Sequence, residues 1–349
     1  MIIEKILTYA EEVGASDVHL TVGIPPRMRL HGGLKELPEK PLTAEDTMAA
    51  VRSILNEKQM EEFLKKGEYD MSFSLPGMGR YRVNAFRRQG TAALALRLVS
   101  TEIPDPESLG VPASIIDLYQ KKRGLVLVTG PTGSGKSTTL AAVIHKVNTC
   151  RDAHIITLED PIEYLHPHRM SMVNQREIGQ DTLSYANALR AALREDPDVI
   201  LVGEMRDYET ISVAVTAAET GHLVLSTLHT IGAASTVDRI IDVFPPHQQQ
   251  QIRVQLSNVL EAIISQQLMP RADGRGRVAA FEVLHANPAI RNLIREGKSH
   301  QIPSIMQTSR RLGMISMDEA ILQLVREGKI TRQTAMEFAQ APDEMEGKL

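Results

Sequence analysis

The spacing of apolar residues divides the chain into two parts with different patterns. In the first hundred residues, short runs alternate between apolar and polar positions, which is typical of strands with one buried face. Helical spacing occurs at residues 3–13 and 43–67, where Thr43 is placed to cap the second helix and Gly67 to end it. We therefore predict a small α+β domain over residues 1–100. Its predicted strands are 18–22, 27–32, 69–76, 79–89 and 92–99.

The pattern changes after a proline-rich segment. Residues 101–112 carry three prolines and little apolar mass, which is typical of a linker. Beyond them the apolar runs are continuous, as in strands buried on both faces of a parallel sheet. From residue 245 onward the chain is predicted to be mostly helical, with one hairpin-like piece at 276–284. We predict an α/β domain over residues 113–349, with strands at 125–130, 154–160, 198–204 and 222–229 and helices at 136–148, 182–195, 207–219 and 232–242.

Composition and charge exclude several classes of protein. The 349 residues are 42% hydrophobic and 23% charged, as in an ordinary globular chain. The net charge of -4 argues against nucleic acid or an anionic membrane surface as the main partner. The single cysteine, Cys150, cannot form an internal disulfide or a cysteine zinc site. His166 and His168 lack further ligands at metal spacing and are expected in a solvated loop. No stretch reaches the ~20 apolar residues of a membrane span, so we expect a reducing cytoplasm.

The sequence GPTGSGKS at residues 130–137 matches the phosphate-loop consensus in full. It follows an apolar strand and precedes a helical stretch, which is the context of a true P-loop. Its glycines allow backbone N–H groups to point at phosphates at a helix N-terminus. Lys136 adds a mobile positive charge, and the Ser137 hydroxyl can ligate Mg²⁺. The predicted nucleotide-binding residues are Gly130, Pro131, Thr132, Gly133, Ser134, Gly135, Lys136, Ser137 and Thr138.

Three further strand ends carry candidates for nucleotide hydrolysis. Glu204 ends the apolar run DVILVGE and is predicted to act as an acid in the metal coordination sphere. Glu159, Asp160 and Glu163 follow another strand, and a carboxylate there can order and deprotonate the attacking water. We choose Glu163 for this role with the other two as supports, and an ordinary solvated turn acid stays the alternative for each of the three. His229 follows a fourth strand and is expected at the same edge of the sheet, where it can sense the γ-phosphate. A purely structural histidine stays the alternative.

Four motifs together resemble one family. GPTGSGKST, ITLEDPIEY, ILVGEMRD and STLHT occur in the order and spacing of the Walker A, Asp box, Walker B and His box of the secretion superfamily ATPases of type II and type IV pilus systems. GASDVHL and PPRMRLHG are similar to the PAS-like N-terminal domain of that family. AIRNLIRE at 289–296 is similar to a signature of its retraction branch. The resemblance covers about residues 1–340 and implies a PAS-like α+β domain followed by a RecA-like ATPase domain with a helical C-terminal region.

The resemblance also implies a cytoplasmic homohexamer that binds ATP and Mg²⁺ between its two domains at subunit interfaces. ATP turnover would depolymerise a pilus through an inner-membrane platform protein, at the inner face of that membrane. Arginines acting in trans are implied at Arg80, Arg82 and Arg97, and an arginine that reaches the γ-phosphate can raise the rate ~10³–10⁵-fold. Arg87 and Arg88 lie close enough to leave this assignment open.

The segment 289–296 has two interpretations. The resemblance implies that it is needed for retraction rather than for ATP hydrolysis. An ordinary amphipathic core helix would show the same pattern, because apolar residues fall on one face. The residues of that face are Ala289, Ile290, Leu293 and Ile294.

Other functions are less well supported. The extension branch of the family usually carries a longer N-terminal region and a four-cysteine zinc element, whereas this chain has only Cys150. An accessory paralogue that binds ATP but hydrolyses it poorly is the main alternative, although Lys136, Glu163, Glu204 and His229 are all present. A helicase or nucleic-acid translocase is disfavoured by the acidic net charge and the scarcity of aromatic residues, so no nucleic-acid partner is expected.

Overall fold

The computed structural model describes residues 2–30, 33–75, 79–99 and 102–349. The chain forms two compact units. The first unit contains Met1–Glu102 and Pro161–Leu165, and the second contains Ile103–Asp160 and His166–Leu349. Residues 103–112 of the predicted linker thus lie in the second unit. The predicted domain boundary at residues 100 and 101, and the predicted strand ends at His31, Gly32 and Pro76, lie outside the described residues.

Within the described part of the first unit, six strands form an antiparallel sheet and three helices pack against it. The strand order is β3-β2-β1-β6-β5-β4. Strands β1 and β5 alternate between buried and more open positions, as the sequence predicts, whereas β6 has three consecutive buried residues. The short, exposed β3 was not predicted. The elements are α1 (Ile2–Glu12), β1 (Asp17–Leu20), β2 (Arg27–Leu30), β3 (Gly33–Glu36), α2 (Ala44–Ile54), α3 (Glu57–Lys66), β4 (Glu68–Leu75), β5 (Gly79–Arg88) and β6 (Thr91–Leu98).

The single helix predicted over residues 43–67 is wrong, because two helices occupy that range. Thr43 caps α2 and accepts a hydrogen bond from the backbone N–H of Asp46, as predicted. Asn56 then caps α3 by accepting from the backbone N–H of Gln59. Leu55 is extended and ends α2, and Asn56 begins α3 because a cap residue satisfies the first N–H groups of a new helix. Gly67 ends α3 in the left-handed conformation, at φ 88.

In residues 103–349, which are described without a gap, seven strands form one sheet in the order β13-β12-β7-β11-β10-β8-β9. All neighbours are parallel except β12 and β13. Apolar clusters cover both faces of the sheet. The strands are β7 (Gly124–Thr129), β8 (His154–Glu159), β9 (Met172–Glu177), β10 (Val199–Val202), β11 (Leu223–Leu228), β12 (Leu260–Pro270) and β13 (Arg277–His285).

The helices of this unit flank the sheet and continue to the end of the chain. Among the described residues, no helix combines the length and apolar character that crossing a membrane requires. The helices are α4 (Ala113–Ile116), α5 (Lys136–Cys150), α6 (Tyr185–Ala192), α7 (Tyr208–Glu219), α8 (Ala233–Asp242), α9 (Pro246–Val259), α10 (Pro288–Arg295), α11 (Ile302–Thr308), α12 (Met317–Arg326), α13 (Arg332–Phe338) and α14 (Pro342–Glu346).

The helical prediction from residue 245 onward is wrong where the chain enters the sheet. Helix α9 ends at Val259, and β12 follows at once and pairs with β7 on one side and β13 on the other. Most of β12 is buried, so its apolar positions show no alternation. A short apolar run buried on both faces cannot be distinguished from a buried helix by its period. Strand β9 was also missed, since it lies at the sheet edge and carries mainly polar residues.

One histidine of the second unit is buried, although the sequence predicts a solvated loop there. His166 is 8% exposed, and its backbone N–H donates to the Gln175 side chain at 2.8 Å. Its buried Nδ1 has no hydrogen-bond partner among the described residues. Burial, together with the charge of nearby His145, lowers the pKa of His166 to about 4. The imidazole is therefore neutral at pH 7, and protonation would leave a charge buried.

We expect His166 to make the protein less stable in mild acid. An unfolded chain protonates this residue near its ordinary pKa of 6.5, whereas the folded chain does so near about 4. Unfolding is therefore increasingly favoured as the pH falls through that window. Substitution His166→Gln should reduce the loss of unfolding free energy between pH 7 and pH 5 by about 2 kcal/mol. Thermal unfolding at both pH values measures this loss of unfolding free energy, and His300→Gln at an exposed position is the control. Equal losses of unfolding free energy in the native chain and in His166→Gln would contradict the prediction.

Candidate nucleotide site

The P-loop lies between β7 and α5, as predicted. Gly130, Gly133 and Gly135 all have positive φ, at 142, 75 and 90. A Cβ on Gly130 would stand 2.2 Å from the carbonyl oxygen of Gln266 on β12, so no side chain fits there. The first turn of α5 begins at Lys136. Since the first N–H groups of a helix lack partners inside it, this turn favours an anion.

The polar side chains of the loop fit a phosphate group. Lys136 is 8% exposed, and its Nζ donates to the carbonyls of Gly130 at 2.9 Å and Pro131 at 3.0 Å. The hydroxyl of Ser134 is buried and has no hydrogen-bond partner among the described residues. Ser137 and Thr138 are half-buried in the first turn of α5. A cation, a buried hydroxyl and a helix N-terminus together form a surface complementary to phosphate.

Strand β12 contacts the P-loop and α5 through Gln266, a residue that the sequence analysis did not single out. Gln266 is 3% exposed, and its Oε1 accepts a hydrogen bond from the Thr139 hydroxyl at 2.7 Å. Its Nε2 lies 2.8 Å from where a Cβ on Gly135 would stand. Gln266 was missed because its segment was predicted to be helical. The only sequence signal for such a contact would have been a glutamine within the apolar run of a strand next to the P-loop.

His229 connects the P-loop with Glu204. Strand β11 lies between β7 and β10, so the residues that follow these three strands meet at one edge of the sheet. Nδ1 of His229 lies 3.4 Å from the Thr132 hydroxyl, and its Nε2 lies 3.2 Å from Oε1 of Glu204. Arg206 donates to the same oxygen of Glu204. The structure therefore brings together three predicted residues, together with one arginine that was not predicted.

A cavity opens beside this group of residues. It has a volume of about 440 Å³ and is lined by Thr132, Glu204, Arg206, His229 and Arg239, among others. The Glu204 side chain is 18% exposed and the His229 side chain 38%. A polar, partly open cavity at the carboxyl end of parallel strands is where α/β proteins bind ligands.

A second cavity has a volume of about 300 Å³. It is bordered by Gly135 and Thr138 of the P-loop and by Leu268 and Phe281 of the neighbouring strands. Arg277 also lines it, and its Nη1 donates to the carbonyl of Gly133 at 3.4 Å. Apolar walls next to a phosphate loop offer space for the nucleoside part of a nucleotide.

The three carboxylates after β8 have different surroundings. Oε1 of Glu159 accepts hydrogen bonds from Thr157 at 2.6 Å and from Gln175 at 3.1 Å, so its position is fixed. Asp160 is exposed. Glu163 is also exposed and lies in Pro161–Leu165, the segment that groups with the first unit. The structure thus fixes Glu159, and the choice of Glu163 as the base stays a prediction.

Tyr185 is a further residue that the sequence analysis missed. Its hydroxyl lies 3.0 Å from where a Cβ on Gly203 would stand, next to Glu204. Burial raises the pKa of Tyr185, and the negative charges of Asp160, Glu204 and Glu159 raise it further. The phenol therefore stays protonated among these carboxylates and can donate a hydrogen bond there.

In the first unit, Arg82 on β5 is the direct cross-strand partner of Arg97 on β6. Arg80 lies two residues before Arg82, and therefore on the same face of the sheet. Nε of Arg97 donates to Oδ1 of Asp17 at 2.8 Å. Burial opposes ionisation of Asp17, but hydrogen bonds from Ser16 and Arg97 outweigh it and lower the pKa of this carboxyl.

The other two candidate arginines are placed differently. Arg87 has the opposite strand parity, and its guanidinium lies 6.0 Å from the centroid of the Phe63 ring, which is buried in the core. This geometry is that of a cation–π contact. Arg88 lies at the turn between β5 and β6, paired with Thr91. The structure therefore groups Arg80, Arg82 and Arg97 and separates Arg87 from them.

Residues 289–295 of the segment lie in α10, and Glu296 follows the helix. Ile290 and Ile294 are buried, as predicted for its apolar face, but Ala289 is exposed because it lies in the first turn, next to Pro288. Arg291 donates to the carbonyls of Ser257 and Asn258, both at 2.7 Å, and so satisfies the end of α9. Arg295 and Glu296 are exposed. The helix therefore combines a packed face with a polar outer face.

The residues at the P-loop fit Mg²⁺ bound together with phosphate rather than alone. Among the described residues, no cluster of three or more histidine, cysteine or acidic side chains could hold a metal by itself. Mg²⁺ is usually bound through one or two protein oxygens together with phosphates and water. The Ser137 hydroxyl and the Glu204 carboxylate are the predicted protein ligands.

Known proteins resemble this chain over nearly its whole length. The family model for type II/IV secretion system proteins matches residues 1–275. The type IV pilus retraction ATPase PilT of Pseudomonas aeruginosa is 48% identical over 343 residues, covering 98% of this chain and 99% of that protein. The type IV pilus ATPase PilU of the same organism is 42% identical over 342 residues, covering 98% and 90%. A crystal structure of the pilus retraction motor PilT with bound ADP has a TM-score of 0.90, 51% identity and 98% coverage of both chains.

These findings agree with the predicted fold class, an α+β N-terminal domain followed by a RecA-like ATPase domain, and confirm it. The chain belongs to the type II/IV secretion system protein family and is one of its ATPases.

Proposed function

We propose that this chain is the ATP-hydrolysing motor of type IV pilus retraction and works as a homohexamer. The observation that carries the ATPase part is the contact of His229 with both Thr132 and Glu204 at the P-loop. The direction of work rests on the similarity to the P. aeruginosa retraction ATPase, which spans both chains almost completely. It also rests on the retraction signature at 289–296.

In this proposal the P-loop residues from Gly130 to Thr138 bind ATP, and Ser137 and Glu204 hold Mg²⁺. The metal neutralises charge on the β- and γ-phosphates when it is bound. Lys136 turns from the loop carbonyls towards the phosphates, because a charged acceptor makes the stronger hydrogen bond. His229 senses the γ-phosphate beside Thr132, and Glu163 orders and deprotonates the attacking water.

An arginine from the first unit of a neighbouring subunit completes each site in this proposal. Arg80, Arg82 and Arg97 share one face of their sheet. Arg97 is held by Asp17, whereas Arg82 is exposed and has no hydrogen-bond or ion-pair partner among the described residues. Arg82 is therefore the candidate whose guanidinium can reach an outside phosphate without breaking an existing ion pair.

The motor would act in the cytoplasm, at the inner face of the inner membrane, through an inner-membrane platform protein. This placement follows from the proposed function. The exposed residues Arg295 and Glu296 of the retraction signature offer a polar surface for transmitting motion. An accessory paralogue that binds ATP but depends on a main motor is the second candidate, because this chain is also similar to a second type IV pilus ATPase, PilU, at 42% identity.

Glu204→Gln should lower ATP turnover by on the order of a hundredfold, because the amide cannot supply the negative charge that Mg²⁺ needs. ATP binding should stay within a few fold, since the P-loop is unchanged. Mg²⁺-dependent turnover is measured against protein concentration, with the mass of the assembly determined in parallel. Exposed Glu209→Gln, which loses only an ion pair with Arg190, is the control.

Turnover in the native chain that rises as hexamers form, and is lost in Glu204→Gln, is the expected result. Absent turnover in the native chain despite tight ATP binding would favour the accessory function instead. Full turnover by a monomer would refute the interfacial site.

Mixed assemblies test whether Arg82 acts in trans. Arg82→Gln and Lys136→Ala should each abolish most turnover alone. In an equimolar mixture, about a quarter of the interfaces combine native Lys136 with native Arg82, so up to that share of activity should return. The control mixes the double variant Arg82→Gln/Lys136→Ala with Lys136→Ala, which restores no native interface. If the subunits are shown to exchange and the first mixture still regains no activity, Arg82 does not act in trans.

Alanine at both Arg295 and Glu296 should leave ATP turnover within about twofold, because these side chains are exposed and lie outside the nucleotide site. Pilus retraction and twitching motility should be lost in cells that carry this variant. Arg291→Ala is the matched control: it removes the donor to the end of α9 and should lower the unfolding temperature instead. Equal loss of turnover and retraction in the Arg295/Glu296 variant would contradict a separate transmission surface.

A further inference from the structure

Glu282 on β13 is a buried carboxylate without a charged partner. Glu282 is 5% exposed, and no lysine, arginine or histidine within the described residues forms an ion pair with it. Burying a carboxylate is unfavourable unless hydrogen bonds satisfy both oxygens. Backbone N–H groups supply those bonds here. The residue also lies beyond residues 1–275, which the family model matches.

The two oxygens of Glu282 bind the N-termini of two different helices. Oε1 accepts from the backbone N–H of Ala233, the first residue of α8, at 2.6 Å. Oε2 accepts from the backbone N–H of Met317, the first residue of α12, at 3.2 Å. Both helices have unsatisfied N–H groups and a positive dipole end at that position, which favours a negative group. One side chain thus anchors two helices.

The first of these helices is continuous with the segment that carries His229. Only Thr230, Ile231 and Gly232 separate His229 from Ala233. The backbone N–H of Gly232 donates to the Ser265 hydroxyl of β12 at 3.0 Å. The consecutive backbone N–H groups of Gly232 and Ala233 therefore donate to side chains of β12 and β13.

Gly232 of this segment also lies beside Glu282 and Gln340, at ordinary contact distances. A Cβ there would stand 3.8 Å from Oε1 of Glu282 and 3.7 Å from Nε2 of Gln340. Gln340 is itself anchored, since its backbone N–H donates to Asp318 in the first turn of α12 at 2.7 Å. The position of the His229 segment therefore depends on Glu282 and on the start of α12.

We propose that Glu282 is a positioning residue for ATP turnover: it holds the N-terminus of α8 and thereby keeps His229 between Thr132 and Glu204. This inference rests on the proposed ATPase function of the same site. Glu282 touches neither the P-loop motif nor the Mg²⁺ ligands in the described contacts, so it acts through His229. Small displacements of a catalytic group can lower a rate by tenfold or more.

The substitution Glu282→Gln keeps the size of the side chain and removes one acceptor. The amide oxygen can serve only one of the two N–H groups, and the amide nitrogen faces the other as a second donor. We expect kcat to fall by about tenfold, while KM and ATP affinity stay within about twofold because the P-loop is unchanged. The control is Glu261→Gln on β12, which loses ion pairs with Lys121 and Arg291 and should keep turnover per folded molecule within about twofold.

A double-mutant cycle with His229→Ala separates positioning from a general structural effect. If Glu282 acts through His229, adding Glu282→Gln to His229→Ala should lower kcat by less than twofold further. A tenfold further loss would overturn the proposal, as would native kcat in Glu282→Gln alone. A parallel loss of kcat and ATP affinity would also overturn it.

If Glu282→Gln does not give folded protein, Glu282→Asp is the second variant, because it keeps both acceptor oxygens with a shorter reach. Its loss of kcat should be smaller and should again disappear in the His229→Ala background; equal loss in both backgrounds would overturn the proposal. The native chain distinguishes this inference from the proposed function. Absent turnover in the native chain refutes the function, whereas normal native turnover with an unaffected Glu282→Gln refutes only the positioning role.

Discussion

The close approach of the P-loop to strand β12 is the constraint on which the nucleotide site depends. The backbone at Gly130 lies so near the carbonyl of Gln266 that any side chain at this position would overlap it. Behind the loop, the hydrogen bond between Thr139 and Gln266 connects α5 with the same strand. A loop held in this way is preorganised, so little conformational freedom is lost when a phosphate binds.

The order of the parallel strands then assembles the site. Glu204 and the P-loop follow strands that are not neighbours, and β11 fills the position between them. His229 follows that middle strand, and its two ring nitrogens can therefore contact Thr132 on one side and Glu204 on the other. The imidazole therefore bridges the P-loop and the Glu204 carboxylate, and this position supports the proposal that it senses the γ-phosphate. Residues nearly a hundred positions apart meet because parallel strands end at one edge of the sheet.

The sequence predicts what is encoded locally and misses what arises from packing. The P-loop, Glu204 and His229 follow buried strands, and their spacing was sufficient to place them together. The sequence does not place Gln266 or Glu282, because Gln266 lies in an apolar run whose period does not reveal a strand and Glu282 binds the N-termini of helices distant in sequence. His166 illustrates the same limit, since a loop sequence rich in proline and histidine indicates solvent exposure, whereas tertiary packing buries the imidazole.

Like charges lie opposite each other on one sheet face of the first unit, an unfavourable arrangement that a purely structural domain would not need. Arg82 and Arg97 are direct cross-strand partners, and like charges placed opposite each other destabilise a sheet by a few tenths of a kcal/mol to about 1 kcal/mol. Among the described residues, Asp17 offsets this repulsion at Arg97 and no acidic side chain does so at Arg82. In the proposed hexamer, a phosphate of the neighbouring subunit's nucleotide would offset the remaining repulsion at Arg82. Unfavourable charge placement of this kind is typical of functional surfaces rather than of stabilising ones, which is why the arginine face is informative even though each arginine alone resembles a solvated strand residue.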